Sequence, residues 1–368
     1  MNQGMQIDLI KRINNENEDD NFVISPIGIE IVLSLCSNGA KGKTQKEIFD
    51  VLNYKNIKEA NNISAEILKQ FRKNEDILKI ANAILTIVKA NNDFIEKATK
   101  DYDALVEELK NYHQVNKWAR EKTENNISKI IDSLTPNLQM MLLNALYFEA
   151  FWKIQFDKKD NVDKLFHNLN ELNNINATMM FLKKPFNYYE NEKLKAIKLF
   201  YNSKTNSNHA IVILPKDNIN SFINNYFNIG VYKQIVQELK KEPVKVNLFL
   251  PSFELEFKTD MSNTLKDLGI NMAFQETADL KGICNIDRIH VGQVLQTNYI
   301  NVNEKGTQAA SITALEVVLE STKEKDPNAK DFIADRPFLF LIRNEDFPEG
   351  RDILFFTKLC KLEDVDDY

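Results

Sequence analysis

Residues able to make or break bonds are few in this chain, and their spacing assembles no catalytic set. The four histidines, His113, His167, His209 and His290, show no HExxH or comparable ligand spacing, so no metal site is expected. No GxSxG elbow presents a serine nucleophile. Residues 39–44 (GAKGKT) have two residues between their glycines where a phosphate loop needs ~4, and they follow no strand. They read as a helix end with a glycine turn. Neither an enzyme active site nor a cofactor is expected. The segment built to do work is of another kind, residues 302–315 (VNEKGTQAASITAL). Gly306 frees one position from Cβ restrictions, and Thr307, Ala309, Ser311 and Thr313 are small residues at period two. In extended chain those four side chains share a face, so the segment could enter a sheet and slip under a neighbouring layer without clashing. What it offers is strand addition, driven by backbone hydrogen bonds.

Such a segment needs a sheet to enter and a body to hold that sheet. Residues 299–303, just before it, alternate apolar and polar as a strand does. The chain has 368 residues, 43% of them hydrophobic and 23 of them phenylalanine, ample for a large core. Length alone suggests two domains, but the 10 glycines and 9 prolines form no linker-like run. A net charge of -6 argues against a general nucleic-acid or heparin surface. Residues 69–73, the nearest thing to a basic run, precede Glu75 and Asp76 and read as a solvated helix face. Residues 1–20 hold no apolar run of signal-peptide length, and nothing approaches the ~18 apolar residues of a membrane span. No signal peptide and no membrane partner are expected. Cys36, Cys284 and Cys360 are odd in number, which suits free thiols in a reducing compartment. The acceptor motifs at Asn62, Asn126 and Asn176 would then go unglycosylated. The expectation is a cytoplasmic protein, with unconventional secretion as the alternative.

Residues 302–315 closely resemble the hinge of the reactive loop in the serpins, the serine protease inhibitors. The likeness continues along the chain. Residues 22–26 (FVISP) resemble the family's N-terminal helix entry, and residues 115–134 its helix and turn. Residues 144–156 (NALYFEAFWKIQF) resemble its NxxYFKGxWxxxF strand, and residues 210–215 (AIVILP) its AxxxLP strand. Residues 248–256, 265–283, 335–343 and 353–359 resemble further motifs in the family's order, so the likeness covers nearly the whole chain. It implies an α+β serpin fold in one domain over residues 1–368, with three β-sheets, about nine helices, a metastable native state and an exposed reactive centre loop at about 305–334. It also implies a monomer that acts as a suicide substrate. A target serine protease cleaves the loop, and the loop inserts as a new strand before the acyl ester hydrolyses, leaving a covalent 1:1 complex.

The same resemblance assigns the parts. Glu304, Gly306, Thr307, Gln308, Ala309, Ala310, Ser311, Ile312 and Thr313 form the hinge. Ile312 is bulkier than usual but has outward parity. Trp152 matches the tryptophan at the top of the main sheet, where insertion begins. Ser25, Asn144 and Gln296 match a polar cluster under the sheet's centre that must release for the loop to enter. Here the chain departs from the pattern, with Gln296 where many serpins have histidine and Gly28 for a second serine. Glutamine can both donate and accept, so a bonded cluster remains open to it. Glu149 and Ala150 replace the usual Lys-Gly, and Thr357 a usual glycine. In the family the primary specificity residue lies seventeen positions along, counting the hinge glutamate as the first, which gives Glu320 and a reactive bond between Glu320 and Ser321. An inserted arm of ~15 residues at ~3.3 Å each spans roughly 50 Å. Leu319, Lys323 and Lys325 are the alternatives. A glutamate there calls for a protease with a basic specificity pocket, whereas Leu319 would suit a chymotrypsin-like one. Two other functions stay open. One is a non-inhibitory binding or carrier protein, which Gln296, Gly28 and Ile312 would favour; the other is a cross-class inhibitor of cysteine proteases.

Overall fold

The computed structural model describes residues 4–171, 174–204, 206–307 and 327–363. Helix α1 (Met5–Glu16) turns Ile7, Leu9, Ile10 and Ile13 into the core. Strand β1 (Phe22–Ile24) leads to α2 (Pro26–Ser37), which starts abruptly because Ser25 caps it and Pro26 occupies its first position. Apolar nearly all round, α2 is buried along its whole length, the only stable place for such a helix. Residues 39–44 then turn through Gly42 at φ 55° into α3 (Gly42–Leu52), a helix end and turn as their composition suggests. The amphipathic helix α4 (Ile57–Lys73), capped by Asn56, precedes β2 (Leu78–Thr86). Next come α5 (Asn92–Tyr102), β3 (Leu105–Glu108) and α6 (Tyr112–Lys122).

The middle of the chain is mostly strand. It supplies β4 (Met140–Phe148), β5 (Ala150–Phe151), β6 (Val162–Phe166), β7 (Ile175–Glu190), β8 (Leu194–Phe200) and β9 (Asn208–Pro215). The short α7 (Ile219–Ser221) and then α8 (Ile229–Glu238) separate these from β10 (Val244–Pro251) and β11 (Phe253–Asp260). After α9 (Ser262–Leu268) come β12 (Gln293–Val302), β13 (Gly306–Thr307), β14 (Lys330–Ile333), β15 (Phe338–Asn344) and β16 (Ile353–Leu359).

These strands make the three sheets the resemblance implies. The main sheet runs β3-β2-β4-β12-β13-β5, with β11 paired to the outside of β12. The other two share one long strand. β7 pairs with β8 through residues 187–190 and with β10 through residues 179–186, and so passes from one sheet into the next. In β15 and β16 every residue is buried, and their sequences are accordingly near-continuous apolar runs. The polar exceptions are Arg343, Asn344, Thr357 and Lys358, and of these Thr357 is fully buried with no partner for its hydroxyl. Cys36, Cys284 and Cys360 are free and buried. Among the described residues no helix is long and apolar enough to cross a membrane.

The main sheet has an unusual centre. β4 and β12 are parallel neighbours, in register from Gln293 opposite Met141 to Asn298 opposite Leu146. β12 is antiparallel to β11, and β4 to β2. Parallel pairing is slightly the weaker per residue. A strand entering between β4 and β12, antiparallel to both, would replace one parallel ladder by two antiparallel ones.

Candidate functional site

The segment expected to be the hinge begins where β12 stops. Asn303 reverses the chain there: its Oδ1 accepts from the backbone N–H of Lys305 at 3.0 Å and of Gly306 at 3.3 Å, and its own N–H donates to the Gly306 carbonyl at 2.9 Å. Gly306 and Thr307 then run antiparallel to β12, with Thr307 opposite Val302, and antiparallel to β5, opposite Phe151 and Ala150. Strand pairing also closes the far end of the 305–334 span, where β14 lies parallel to β10. The expected reason for Gly306 needs correcting. Its φ is not positive, and a Cβ would lie 2.1 Å from the Ala150 carbonyl oxygen and 2.7 Å from Phe151 Cα. Glycine is required here by the close approach of β5 and not by conformational freedom.

Thr307, the first small residue of the run, is 0% exposed, and its hydroxyl lies 2.7 Å from that of Tyr201. Burial holds the Tyr201 phenol far above its usual range, so it stays protonated and able to donate. Tyr201 stacks on Trp152, with ring centroids 4.6 Å apart and planes at 12°. Trp152 in turn grips the turn of the hinge. Its Nε1 donates to the Asn303 carbonyl at 2.9 Å and its backbone N–H to the Lys305 carbonyl at 2.8 Å. Below it, Phe156 N–H donates to the Glu304 carbonyl at 3.0 Å, and Asn161 Nδ2 to Glu304 Oε1 at 2.6 Å.

Further down, three amides stand in register across three strands: Asn82 of β2 opposite Asn144 of β4, and Asn144 opposite Gln296 of β12. Asn144 Nδ2 donates to Asn82 Oδ1 at 2.8 Å, and Gln296 Nε2 donates to Asn144 Oδ1 at 2.8 Å. Gln296 reaches the start of α2 as well, donating to the Ser25 carbonyl at 2.8 Å and accepting from Ser25 N–H at 2.9 Å. Its Oε1 also accepts from Asn298 Nδ2 at 3.0 Å. Every donor and acceptor of Gln296 is thus used. No side chain in this group titrates near neutrality, so the row lacks the pH response a histidine would bring. Gly28 is part of the same adaptation, because a Cβ there would lie 2.2 Å from Asn144 Oδ1. Gly28→Ser, which restores the family's usual residue, is expected to destabilise this protein by about 1–3 kcal/mol through overpacking. Thermal melts would register it, and an undiminished melting temperature would mean that Asn144 can relocate freely.

Of the expected site residues, Ser25, Asn144, Trp152, Gln296, Glu304, Gly306 and Thr307 fall into these two clusters. Gln308, Ala309, Ala310, Ser311, Ile312, Thr313, Leu319, Glu320, Ser321, Lys323 and Lys325 lie outside the described residues. Sequence reasoning missed Tyr201, Asn82 and Asn298. A usable signal existed for Asn82, which interrupts a strand-like apolar run as Asn144 does, whereas Asn298 sits among the polar residues of QTNYIN. Tyr201 carried none.

The serpin family model, described as serpin (serine protease inhibitor), matches residues 1–362, and the chain belongs to this family. It is similar to the leukocyte elastase inhibitor of Sus scrofa, at 29% identity over 384 residues covering 97% of this chain and 97% of that protein. It is also similar to intracellular coagulation inhibitor 2 of Tachypleus tridentatus, at 29% identity over 377 residues covering 97% and 89%. Among solved structures, human thyroxine-binding globulin complexed with thyroxine shares the fold at a TM-score of 0.85 and 23% identity, covering 98% of this chain and 97% of that one.

Proposed function

We propose that this chain is a suicide-substrate inhibitor of a serine protease, acting as one domain and as a monomer, and trapping its target as a covalent 1:1 acyl complex. The observation that supports this best is β13. Gly306 and Thr307 already sit between the end of β12 and β5, antiparallel to both, directly above the parallel β4/β12 pair. Cleavage within the loop would release the chain beyond Thr307 to continue that strand downward. Each added residue would exchange parallel for antiparallel pairing and bury the inward side chains at Ala309, Ser311 and Thr313, all small enough to pass. The amide row between Asn82 and Gln296 would have to open, and its hydrogen bonds set the resistance to entry. Support for inhibition comes from the family and from relatives named as inhibitors, one of them as intracellular. A cytoplasmic location, with unconventional export as the alternative, agrees with the latter.

A serine protease that recognises the loop should form an adduct of summed mass that survives boiling in detergent, because the link is an acyl ester. The cleaved protein should also melt well above the intact one. Clean cleavage without adduct by serine proteases of every common specificity, together with an unchanged melt, would sink the proposal and leave a binding or carrier protein. Adducts with a cysteine protease alone would move it to the cross-class reading.

A further inference from the structure

An open pocket lies against the wall that holds the hinge. Its floor and sides are Trp152, Pro185, Phe186, Leu199, Phe200 and Pro243, and its space is about 480 Å³ with the solvent-facing mouth included. Part of that space is open solvent, so a ligand would insert one ring or a fused pair and leave the remainder at the mouth. The lip is apolar too. Among the described residues only a handful of large hydrophobic side chains are exposed, and two of them belong here. Ile154 is 45% exposed and lines the pocket, and Val244 at 42% follows Pro243 and pairs with Phe186. Against this apolar body stand cations. Lys153 lines the pocket with its Nζ 5.7 Å from the Phe200 ring centroid and 3.0 Å from Asn206 Oδ1, and no carboxylate among the described residues lies in ion-pair reach of it. Lys198 Nζ lies 4.6 Å from the same ring and is bonded to Glu345 at 2.9 Å. Lys240 adds its charge to the field at Lys198 and Glu345.

We propose that this pocket binds small amphipathic anions, with one ring or a fused pair inserted and any further ring left at the mouth, carrying a sulfonate or carboxylate, and that occupancy holds the hinge in its resting position. The rings would lie among Trp152, Phe200 and Pro243, leaving the anion at Lys153. Coupling to the hinge is direct because the walls are also its attachments. Trp152 binds the carbonyls of Asn303 and Lys305, and Lys153 N–H donates to the Phe200 carbonyl at 2.8 Å, tying the strand that grips the hinge to the pocket's opposite wall. A ligand bridging those walls favours the state in which both are in place and slows release of β13. The proposal concerns the resting hinge and stands whether or not the chain inhibits a protease.

The test uses the full chain carrying Trp118→Phe, which leaves Trp152 the sole tryptophan and removes a buried indole N–H that has no partner. Titration with 8-anilinonaphthalene-1-sulfonate should quench Trp152 emission saturably at one site. Ile154→Glu, a like charge on an exposed lip, should weaken binding roughly tenfold or more, and Lys153→Gln by roughly fivefold, with the parent's melting temperature kept in both. N-phenyl-1-naphthylamine, the same rings without the sulfonate, should bind more weakly. Saturating sulfonate should slow amide hydrogen exchange across residues 150–152 and 303–307. Equal affinity in parent and both variants would place the dye elsewhere and overturn the site. Equal affinity for the uncharged analogue would overturn the anion preference, and unaltered exchange at the hinge would overturn the coupling.

Discussion

Thr307→Arg is expected to turn an inhibitor into a substrate. Thr307 has no exposed surface, and its hydroxyl meets that of Tyr201, whose ring stacks on Trp152. A guanidinium there would be an unpaired charge against an aromatic stack, at a cost of several kcal/mol. The resting hinge would be expelled, and after cleavage the same cost would oppose insertion at its first step. A barrier raised by about 3 kcal/mol slows that step more than ~100-fold, while hydrolysis of the acyl ester keeps its rate. The protease should therefore cleave Thr307→Arg about as fast as the parent and emerge active, with little adduct in denaturing electrophoresis. Thr307→Ser, which keeps the hydroxyl and fits the space, should inhibit normally. Arginine at Gln308, of outward parity, should be milder than at Thr307. Undiminished adduct from Thr307→Arg would mean that insertion does not pass through the position β13 occupies.

Glu320→Arg is expected to exchange one class of target for another. A protease that accepts glutamate presents a complementary cation to it, and a charge-assisted contact of that kind contributes about 1.5–3 kcal/mol. Reversing the charge replaces this attraction by repulsion, so inhibition of a glutamate-directed protease should fall by at least ~100-fold. Inhibition of a trypsin-like protease should appear, since the hinge that drives insertion is untouched. Mass determination of the peptide released from the parent decides the register independently. A peptide beginning at Ser321 supports Glu320. One beginning at Glu320 assigns Leu319 and a chymotrypsin-like target, and one beginning at Glu324 or Asp326 assigns a lysine and a longer inserted arm.

The two parts of the site differed in how far they could be read in advance. The segment expected to be the hinge stood out because its signal is local, small residues at period two after a strand pattern with glycine at the turn, although Gln308 to Thr313 lie outside the described residues. Even so, the need for Gly306 was misattributed, since only the neighbouring strand β5 shows what a Cβ would strike. The amide row was half legible. Asn144, Gln296 and Ser25 were named by resemblance, but Asn82 and Asn298 belong to the same network through pairings between segments distant in sequence. Gly28 looked like a defect beside a glutamine in place of histidine. In the structure it is the space into which the Asn144 amide fits.

By itself the sequence determined the family, the α+β architecture and the run of small residues able to cross a sheet. The small-residue run follows from side-chain periodicity, which acts along the chain, whereas the family and the architecture came from the likeness of its motifs to those of the serpins. Only the tertiary structure decided that β4 and β12 meet as parallel neighbours, that the Thr307 hydroxyl already meets that of Tyr201, and that Gln296 satisfies all its hydrogen bonds between a strand and a helix start. Each of these depends on which distant segments are brought within about 3 Å of one another, and local propensity carries no record of that.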